Sequence, residues 1–106
     1  MIKIRTLIVE DEEPAREIVK TYLKKYSEIE LLGECADGFT AVKTINELKP
    51  DLLFLDIQLP KLTGFEILEL IEHIPVIIFT TGWPVVFTTT RFLLRGQSQR
   101  MQPLPV

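Results

Sequence analysis

Short apolar runs alternate with segments of helical periodicity along most of the chain. The runs lie at residues 4–9, 29–36, 52–55 and 76–81 and have the length typical of strands. The segments between them repeat apolar residues every three or four positions, as amphipathic helices do. Strands and helices that alternate over short connections predict a parallel sheet with right-handed crossovers and helices on both faces. The run at 29–36 alternates apolar and polar residues, which predicts a position near the sheet edge.

Two of the predicted helices carry clear signals. In the first, Pro14 suits the opening turn, and apolar residues recur from Ala15 to Tyr26. The third is predicted over residues 65–73, ahead of Pro75. Its predicted inner positions are Phe65, Leu68 and Ile71, with Ile67 and Leu70 flanking them.

The third predicted strand ends in a carboxylate. The segment LLFLDIQLP, residues 52–60, runs from four apolar residues into Asp56 and a loop that ends at Pro60. A continuous apolar run suits a parallel strand covered on both faces, which places Asp56 at its carboxyl end. Ligands bind at this edge of open α/β sheets. Taken alone, Asp56 could equally be a helix or turn cap.

Polar side chains follow two other predicted strands. Glu10 and Asp11 follow the first, and Thr80 and Thr81 end the fourth. Because the carboxyl ends of parallel strands share one edge, these residues should converge with Asp56. Crowded carboxylates need a cation or shared protons, and an all-oxygen set suits Mg²⁺. An aspartate beside such a metal can attack a phosphoryl group and form an acyl phosphate, with a threonine hydroxyl as donor.

Three segments resemble a known family: LIVEDEEPAR, LLFLDIQLPKLTGFE and VIIFTTG. They are similar to the CheY-like receiver domain of two-component response regulators, most of all to receivers attached to LytTR-type DNA-binding domains. The resemblance implies a flavodoxin-like, doubly wound parallel sheet, incomplete after the fourth strand, with residues 1–82 as the receiver domain. Pro60 and Gly64 match the loop after the phosphoacceptor, where glycine permits tight backbone geometry.

The resemblance also implies roles for the residues at the sheet edge. Asp56 matches the phosphoacceptor, and Glu10 and Asp11 match the acidic pair that holds Mg²⁺ together with it. Thr81 matches the switch hydroxyl, and Thr80 is the alternative in a different register. The implied partner is a sensor histidine kinase that supplies the phosphoryl group in a phosphorelay. The domain itself is not expected to be an enzyme.

Residues 83–106 do not continue the pattern. They contain no lysine, no acidic residue and no useful helical period. Receivers normally add a fourth helix, a fifth strand that ends in a lysine before a proline, and a fifth helix. The segment is therefore expected to be an atypical, partly disordered tail with a β segment at 85–90 and no output domain. A truncated gene or an altered reading frame would produce such a change.

The expected loss of these elements has two consequences. The fourth strand would become an edge and one sheet face would be uncovered. We expect the tail or a partner chain to hide them, for instance in a swapped or otherwise intertwined homodimer.

The alternative to a working receiver is a remnant that keeps the fold but cannot switch, because the family lysine is missing. An aspartate-based phosphatase of the haloacid dehalogenase type is disfavoured, since it needs a second aspartate where Gln58 stands.

Composition and charge limit the classes of partner that the chain is expected to bind. Residues 1–72 hold fifteen acidic and nine basic residues, a net charge of −6, whereas residues 73–106 hold three arginines. Direct binding of nucleic acid by such an acidic domain is not expected. No apolar segment is long enough to span a membrane, so a cytoplasmic location is expected. Cys35 is expected to be a buried small hydrophobe, and His73 a structural or surface residue.

Overall fold

The computed structural model describes residues 2–80 and, as backbone strands, residues 86–89 and 101–103. Within residues 2–80, four strands alternate with three helices as predicted. The elements in chain order are β1 (Ile4–Val9), α1 (Glu13–Leu23), β2 (Ile29–Cys35), α2 (Gly38–Leu48), β3 (Leu52–Asp56), α3 (Gly64–Leu70), β4 (Val76–Thr80), β5 (Val86–Thr89) and β6 (Met101–Pro103). No helix in this part of the chain is long and apolar enough to cross a membrane.

The described strands form one sheet in the order β2-β1-β3-β4-β5-β6. Pairing among β1 to β4 is parallel. The chain moves outward from β1 to β2 and then crosses back to β3 and β4. The winding therefore reverses between β1 and β3, where open α/β sheets form their binding crevice. This is the flavodoxin-like, doubly wound sheet predicted from the sequence, and β2 lies at its edge as its alternating pattern indicated.

The two faces of the sheet are covered differently. Right-handed crossovers place α1 on one face and α2 and α3 on the other, because the winding reverses after β2. The main apolar core lies under α2 and α3 and takes alternate residues of each central strand. Its members are Leu7, Val9, Cys35, Ala41, Ile45, Leu53, Leu55, Leu59, Leu62, Ile67, Leu68, Ile71, Ile77 and Phe79. Helix α1, in contrast, has a single buried residue, Leu23.

Helix α3 is shorter than predicted. The sequence pattern predicts a helix over residues 65–73, but the helix spans Gly64–Leu70 and the backbone of Ile71 is extended. The Glu72 amide donates to Asn46 Oδ1 of α2 at 2.9 Å. The chain is thus bonded to the neighbouring helix at the point where α3 would otherwise continue.

The buried face of α3 also differs from the prediction. Ile67 is fully buried instead of flanking, and Phe65 is 46% exposed instead of inward, although its ring packs on Phe79 with centroids 5.3 Å apart. The buried positions are Gly64, Ile67, Leu68 and Ile71, which follow the helical spacing i, i+3, i+4, i+7. Leu68 and Ile71 are buried as predicted. The prediction was wrong for Phe65 and Ile67, because apolar residues stand on both sides of this stripe and the pattern allowed two faces.

Smaller differences concern the ends of elements. Helix α1 ends at Leu23, so Tyr26 lies beyond it. Strand β2 ends at Cys35, which is buried as predicted, and β3 includes Asp56. His73 is half-buried, and its Nε2 lies 2.9 Å from a backbone carbonyl oxygen, which is a structural role.

Strand β5 covers the outer edge of β4. Residues 86–88 pair antiparallel with residues 78–80, and β6 pairs antiparallel with β5. The tail therefore hides the strand edge, one of the two alternatives that the sequence left open. No further parallel strand follows β4 among the described residues. The expected partial disorder concerns the rest of residues 83–106, which lies outside the described residues.

Candidate functional site

Three carboxylates meet at the carboxyl edge of the central strands. Glu10 directly follows β1, Asp11 is next to it, and Asp56 is the last residue of β3. Val9 and Leu55 are paired, so the two strands end side by side. One oxygen of each carboxylate lies within 4.8 Å of the others. The structure thus brings together the three residues that the sequence predicted as metal ligands.

Burial makes two of these carboxylates, those of Glu10 and Asp56, difficult to ionise. Glu10 and Asp56 are each 6% exposed, and Asp11 is half-buried. Burial, with hydrogen bonding to Asp56 and Asp11, raises the pKa of Glu10 from an ordinary 4.5 to about 8. Burial also raises the pKa of Asp56, although hydrogen bonding with Glu10 opposes that shift. The raised pKa of Glu10 favours a proton within the cluster at neutral pH when no cation is bound, and such a proton lets two buried acids lie together.

Backbone amides orient two of the carboxylates. The Gln58 amide donates to Asp56 Oδ1 at 2.9 Å, and the Glu12 amide donates to Glu10 Oε2 at 3.2 Å. In each case an acidic side chain accepts from the amide two residues further on. The local turn therefore sets the direction of the carboxylate.

The donor set fits Mg²⁺. This ion prefers oxygen ligands and is commonly held by one or two carboxylates together with waters or phosphate oxygens. The cluster of Glu10, Asp11 and Asp56 offers carboxylate oxygens at one point, without nitrogen or sulfur. A divalent cation would take over the role of the proton, which now offsets repulsion among the carboxylates.

The loop after Asp56 is held tightly against its strand. Leu59 and Leu62 are buried in the main core, and the Gly64 amide donates to the Ile57 carbonyl oxygen at 2.9 Å. A Cβ on Gly64 would lie 2.8 Å from the Asp56 carbonyl oxygen. The tight geometry predicted at Gly64 is confirmed, and its cause is this close approach of α3 to the end of β3.

Of the two candidate threonines, Thr80 lies within the described residues. Thr80 is the partner of Asp56 in the β3–β4 register, and its carbonyl oxygen accepts from the Ile57 amide at 3.0 Å. Paired residues on neighbouring parallel strands point to the same face of a sheet, so Thr80 lies beside Asp56. Thr81 lies outside the described residues.

Arg16 is a neighbour of the site that sequence reasoning missed. It lies near the start of α1, and its Nη1 donates to the Glu10 carbonyl oxygen at 2.8 Å. Its Nε donates to Glu34 Oε1 at 2.9 Å. In the sequence, Arg16 lies between the apolar positions of the first predicted helix, and this pattern gives it no particular role. The sequence signal that could have identified Arg16 is its position about one turn after the acidic cluster. Its contact with Glu34, which is 18 residues away, can be found only from the folded structure.

Comparison with known proteins identifies the family. The sequence profile of the response regulator receiver domain matches residues 6–99. The chain belongs to this family, as the sequence motifs implied. Receiver domains act in two-component signalling and are generally not enzymes.

Similar proteins include transcriptional regulators. The transcriptional regulatory protein BtsR of Escherichia coli K12 is 42% identical over 82 residues, which are 76% of this chain and 34% of that protein. BtsR of Salmonella typhi is 44% identical over the same shares. The chain spans about a third of the length of these curated relatives.

Solved structures of receiver domains resemble the fold. The response regulator domain of Thermotoga maritima CheB has a TM-score of 0.67 at 35% identity, and the match covers 73% of this chain and 59% of that one. The response regulatory domain of Klebsiella pneumoniae mrkE has a TM-score of 0.66 at 32% identity, over 76% and 68% of the two chains. These matches confirm the predicted fold class.

Proposed function

We propose that this chain acts in phosphorelay signalling by accepting a phosphoryl group on Asp56 from a sensor histidine kinase. The meeting of Glu10, Asp11 and Asp56 within 4.8 Å, at the sheet edge of a receiver-family chain, supports this function most strongly. In this proposal the three carboxylates hold Mg²⁺.

The transfer requires an ionised Asp56 carboxylate directed at phosphorus. One Asp56 oxygen forms a bond to phosphorus while the bond from phosphorus to the kinase histidine nitrogen breaks, and that nitrogen keeps the electron pair. The Gln58 amide orients the carboxylate. Binding of Mg²⁺ would displace the proton of Glu10, which would leave the carboxylates of Glu10 and Asp56 ionised. Bound Mg²⁺ would supply positive charge against the carboxylates and the phosphoryl oxygens.

A hydroxyl at the end of β4 is the proposed reporter of phosphorylation. The pairing of Thr80 with Asp56 supports Thr80 for this role, and Thr81 remains the prediction of the sequence motif. Either hydroxyl would donate to a phosphoryl oxygen on Asp56. Phosphorylation would then shift the population of conformations in the neighbouring loops.

The output of the whole protein is proposed from its relatives. The Escherichia coli and Salmonella typhi relatives are named transcriptional regulatory proteins. Receivers with these sequence motifs ordinarily pass the signal to a joined DNA-binding domain of the LytTR type, although residues 83–106 are not expected to hold one. Contact with nucleic acid would then belong to that domain and not to the acidic receiver.

Intact mass after incubation with a small phosphodonor, with and without Mg²⁺, tests the proposal. We expect a gain of one phosphoryl group that requires Mg²⁺ and is lost in Asp56→Asn. Asp37→Asn is the matched control, because Asp37 caps α2 outside the cluster and asparagine caps a helix equally well. A folded protein that gains no phosphoryl group, or gains it equally in Asp56→Asn, would contradict the proposal.

A receiver fold that cannot switch is the second candidate. Lys61 is the last lysine of the sequence, whereas receivers use a later lysine to contact the phosphoryl group. Hydrogen exchange of the phosphorylated and unphosphorylated protein separates the two candidates. A working receiver changes its exchange at the end of β4 and in the adjoining loops, and a remnant does not.

A further inference from the structure

Arg16 connects three elements around the site. Its side chain is 16% exposed and belongs to α1. Its Nη1 bonds the carbonyl oxygen of Glu10 at the end of β1, and its Nε bonds the carboxylate of Glu34 near the end of β2. The planar guanidinium can make both bonds at once because its donors form a rigid fork.

Helix α1 is held against the sheet largely by polar contacts, because it buries little apolar surface. Leu23 is the only buried residue of the helix. Lys20 Nζ lies 2.8 Å from Glu34 Oε2, so Arg16 and Lys20 hold the two oxygens of one carboxylate. These cations, Lys20 before Arg16 in size of effect, lower the pKa of Glu34. Only Arg16 of the two also bonds the segment that carries Glu10 and Asp11.

We propose that Arg16 is a positioning residue that holds the turn from Glu10 to Glu12, so that Glu10 and Asp11 face a divalent cation. The inference rests on the proposed function, because the cation is the Mg²⁺ of that site. The Glu10 carbonyl accepts from Arg16, and the Glu10 side chain accepts from the Glu12 amide. Hydrogen bonds thus hold both the backbone carbonyl and the side chain of Glu10.

The charge of Arg16 and its proposed positioning role predict opposite effects of its removal on Mg²⁺ affinity, so a binding measurement can distinguish them. Arg16 is a cation near an acidic pocket, so its simple electrostatic effect opposes Mg²⁺, and its removal should tighten binding. If Arg16 instead positions the ligands, its removal should weaken binding. Loss of a partner that orients metal ligands typically lowers metal affinity by about 10–100-fold.

The test measures Mg²⁺ binding by calorimetry to the wild type, Arg16→Met, Arg16→Lys and Lys20→Met. We expect both Arg16 variants to bind about tenfold more weakly, because lysine keeps the charge but lacks the fork. Lys20→Met is the matched control, since it also removes one cation from Glu34 but does not touch Glu10. It should bind as tightly as the wild type or more tightly. Circular dichroism checks that each variant is folded. If Arg16→Met does not fold, Arg16→Lys alone tests the positioning role.

Hydrogen exchange without Mg²⁺ gives a second readout that is independent of the metal. Amides of residues 10–12 should exchange faster in the Arg16 variants than in Lys20→Met. Unchanged exchange, unchanged or tighter Mg²⁺ binding in both Arg16 variants, or equal losses in Lys20→Met would each overturn the inference. A wild type that binds no Mg²⁺ contradicts the proposed function, and the metal-free exchange then still decides whether Arg16 holds the turn.

Discussion

At the scale of single residues, the charge of the site depends on whether the Glu10 carboxyl group is protonated. Burial, with the hydrogen bonds to Asp56 and Asp11, raises the pKa of Glu10 to about 8. An acid with a raised folded-state pKa stabilises the fold while it keeps its proton, and this contribution is lost as the pH rises through that value. The metal-free protein should therefore lose stability between about pH 4.5 and pH 8. Asp56, whose pKa is also raised, acts in the same direction.

We expect Mg²⁺ affinity to rise with pH over the same window. The cation must displace the proton of Glu10, so the apparent affinity should increase by up to about tenfold per pH unit below the pKa. Calorimetric titrations in buffers of different ionisation heat measure both the affinity and the protons released. In Glu10→Gln the affinity should fall and its pH dependence should flatten. An affinity that is constant from about pH 6 to pH 8 would argue against a proton on Glu10.

At the scale of elements, the junction of β3 and α3 sets the position of Asp56. A Cβ on Gly64 would lie 2.8 Å from the Asp56 carbonyl oxygen and 3.1 Å from the Ile57 Cα, which are backbone atoms that cannot rotate away. We expect Gly64→Ala to lower the free energy of unfolding by about 1–3 kcal/mol. It should also slow phosphoryl uptake, because the shift reaches Asp56. Denaturant unfolding and the rate of mass gain measure the two effects.

Gly33→Ala is the matched control for Gly64→Ala. A Cβ on Gly33 would meet Leu7 Cδ1 at 3.9 Å, an ordinary contact. Its free energy of unfolding should stay within about 0.5 kcal/mol of the wild type. Equal effects of the two substitutions would show that the close approach at Gly64 does not constrain the site.

The element boundaries that the sequence predicted correctly are those marked by local chemistry. Strand β1 is predicted and observed over Ile4–Val9, because an apolar run ends there in an acidic cluster. The end of α3 is different, since it coincides with a hydrogen bond from the Glu72 amide to Asn46, 26 residues away. A contact at such separation leaves no periodic signal, so the helix was predicted too long.

The difference between local sequence signals and long-range contacts also applies to the site. Glu10, Asp11 and Asp56 could be brought together from the sequence, because parallel strands that end in carboxylates share one edge. The bond from Arg16 to the Glu10 carbonyl oxygen depends on the direction of one side chain and on the nearby Glu34. Helical periodicity predicts the face of a residue but not the atom that it bonds.

At the scale of the whole molecule, one face of the sheet is less covered than the other. Helices α2 and α3 bury one face, and among the described elements α1 alone lies on the other. On that face Phe54 and Ile78 are half-buried, and Val76 is 62% exposed. Contiguous apolar surface favours association. The homodimer expected from the sequence would form here, since β5 already covers the edge of β4.

We therefore predict self-association through this face, measured by light scattering across a concentration series. The mass should rise above the 12.2 kDa of one chain. Val76→Glu should shift the protein towards monomer with little loss of stability, because the side chain is already largely exposed. Leu70→Glu is the matched control: it adds the same charge at a residue of similar exposure, 52%, on α3 at the opposite face. A wild type that remains monomeric at all concentrations, or equal effects of the two substitutions, would remove this face as the site of association.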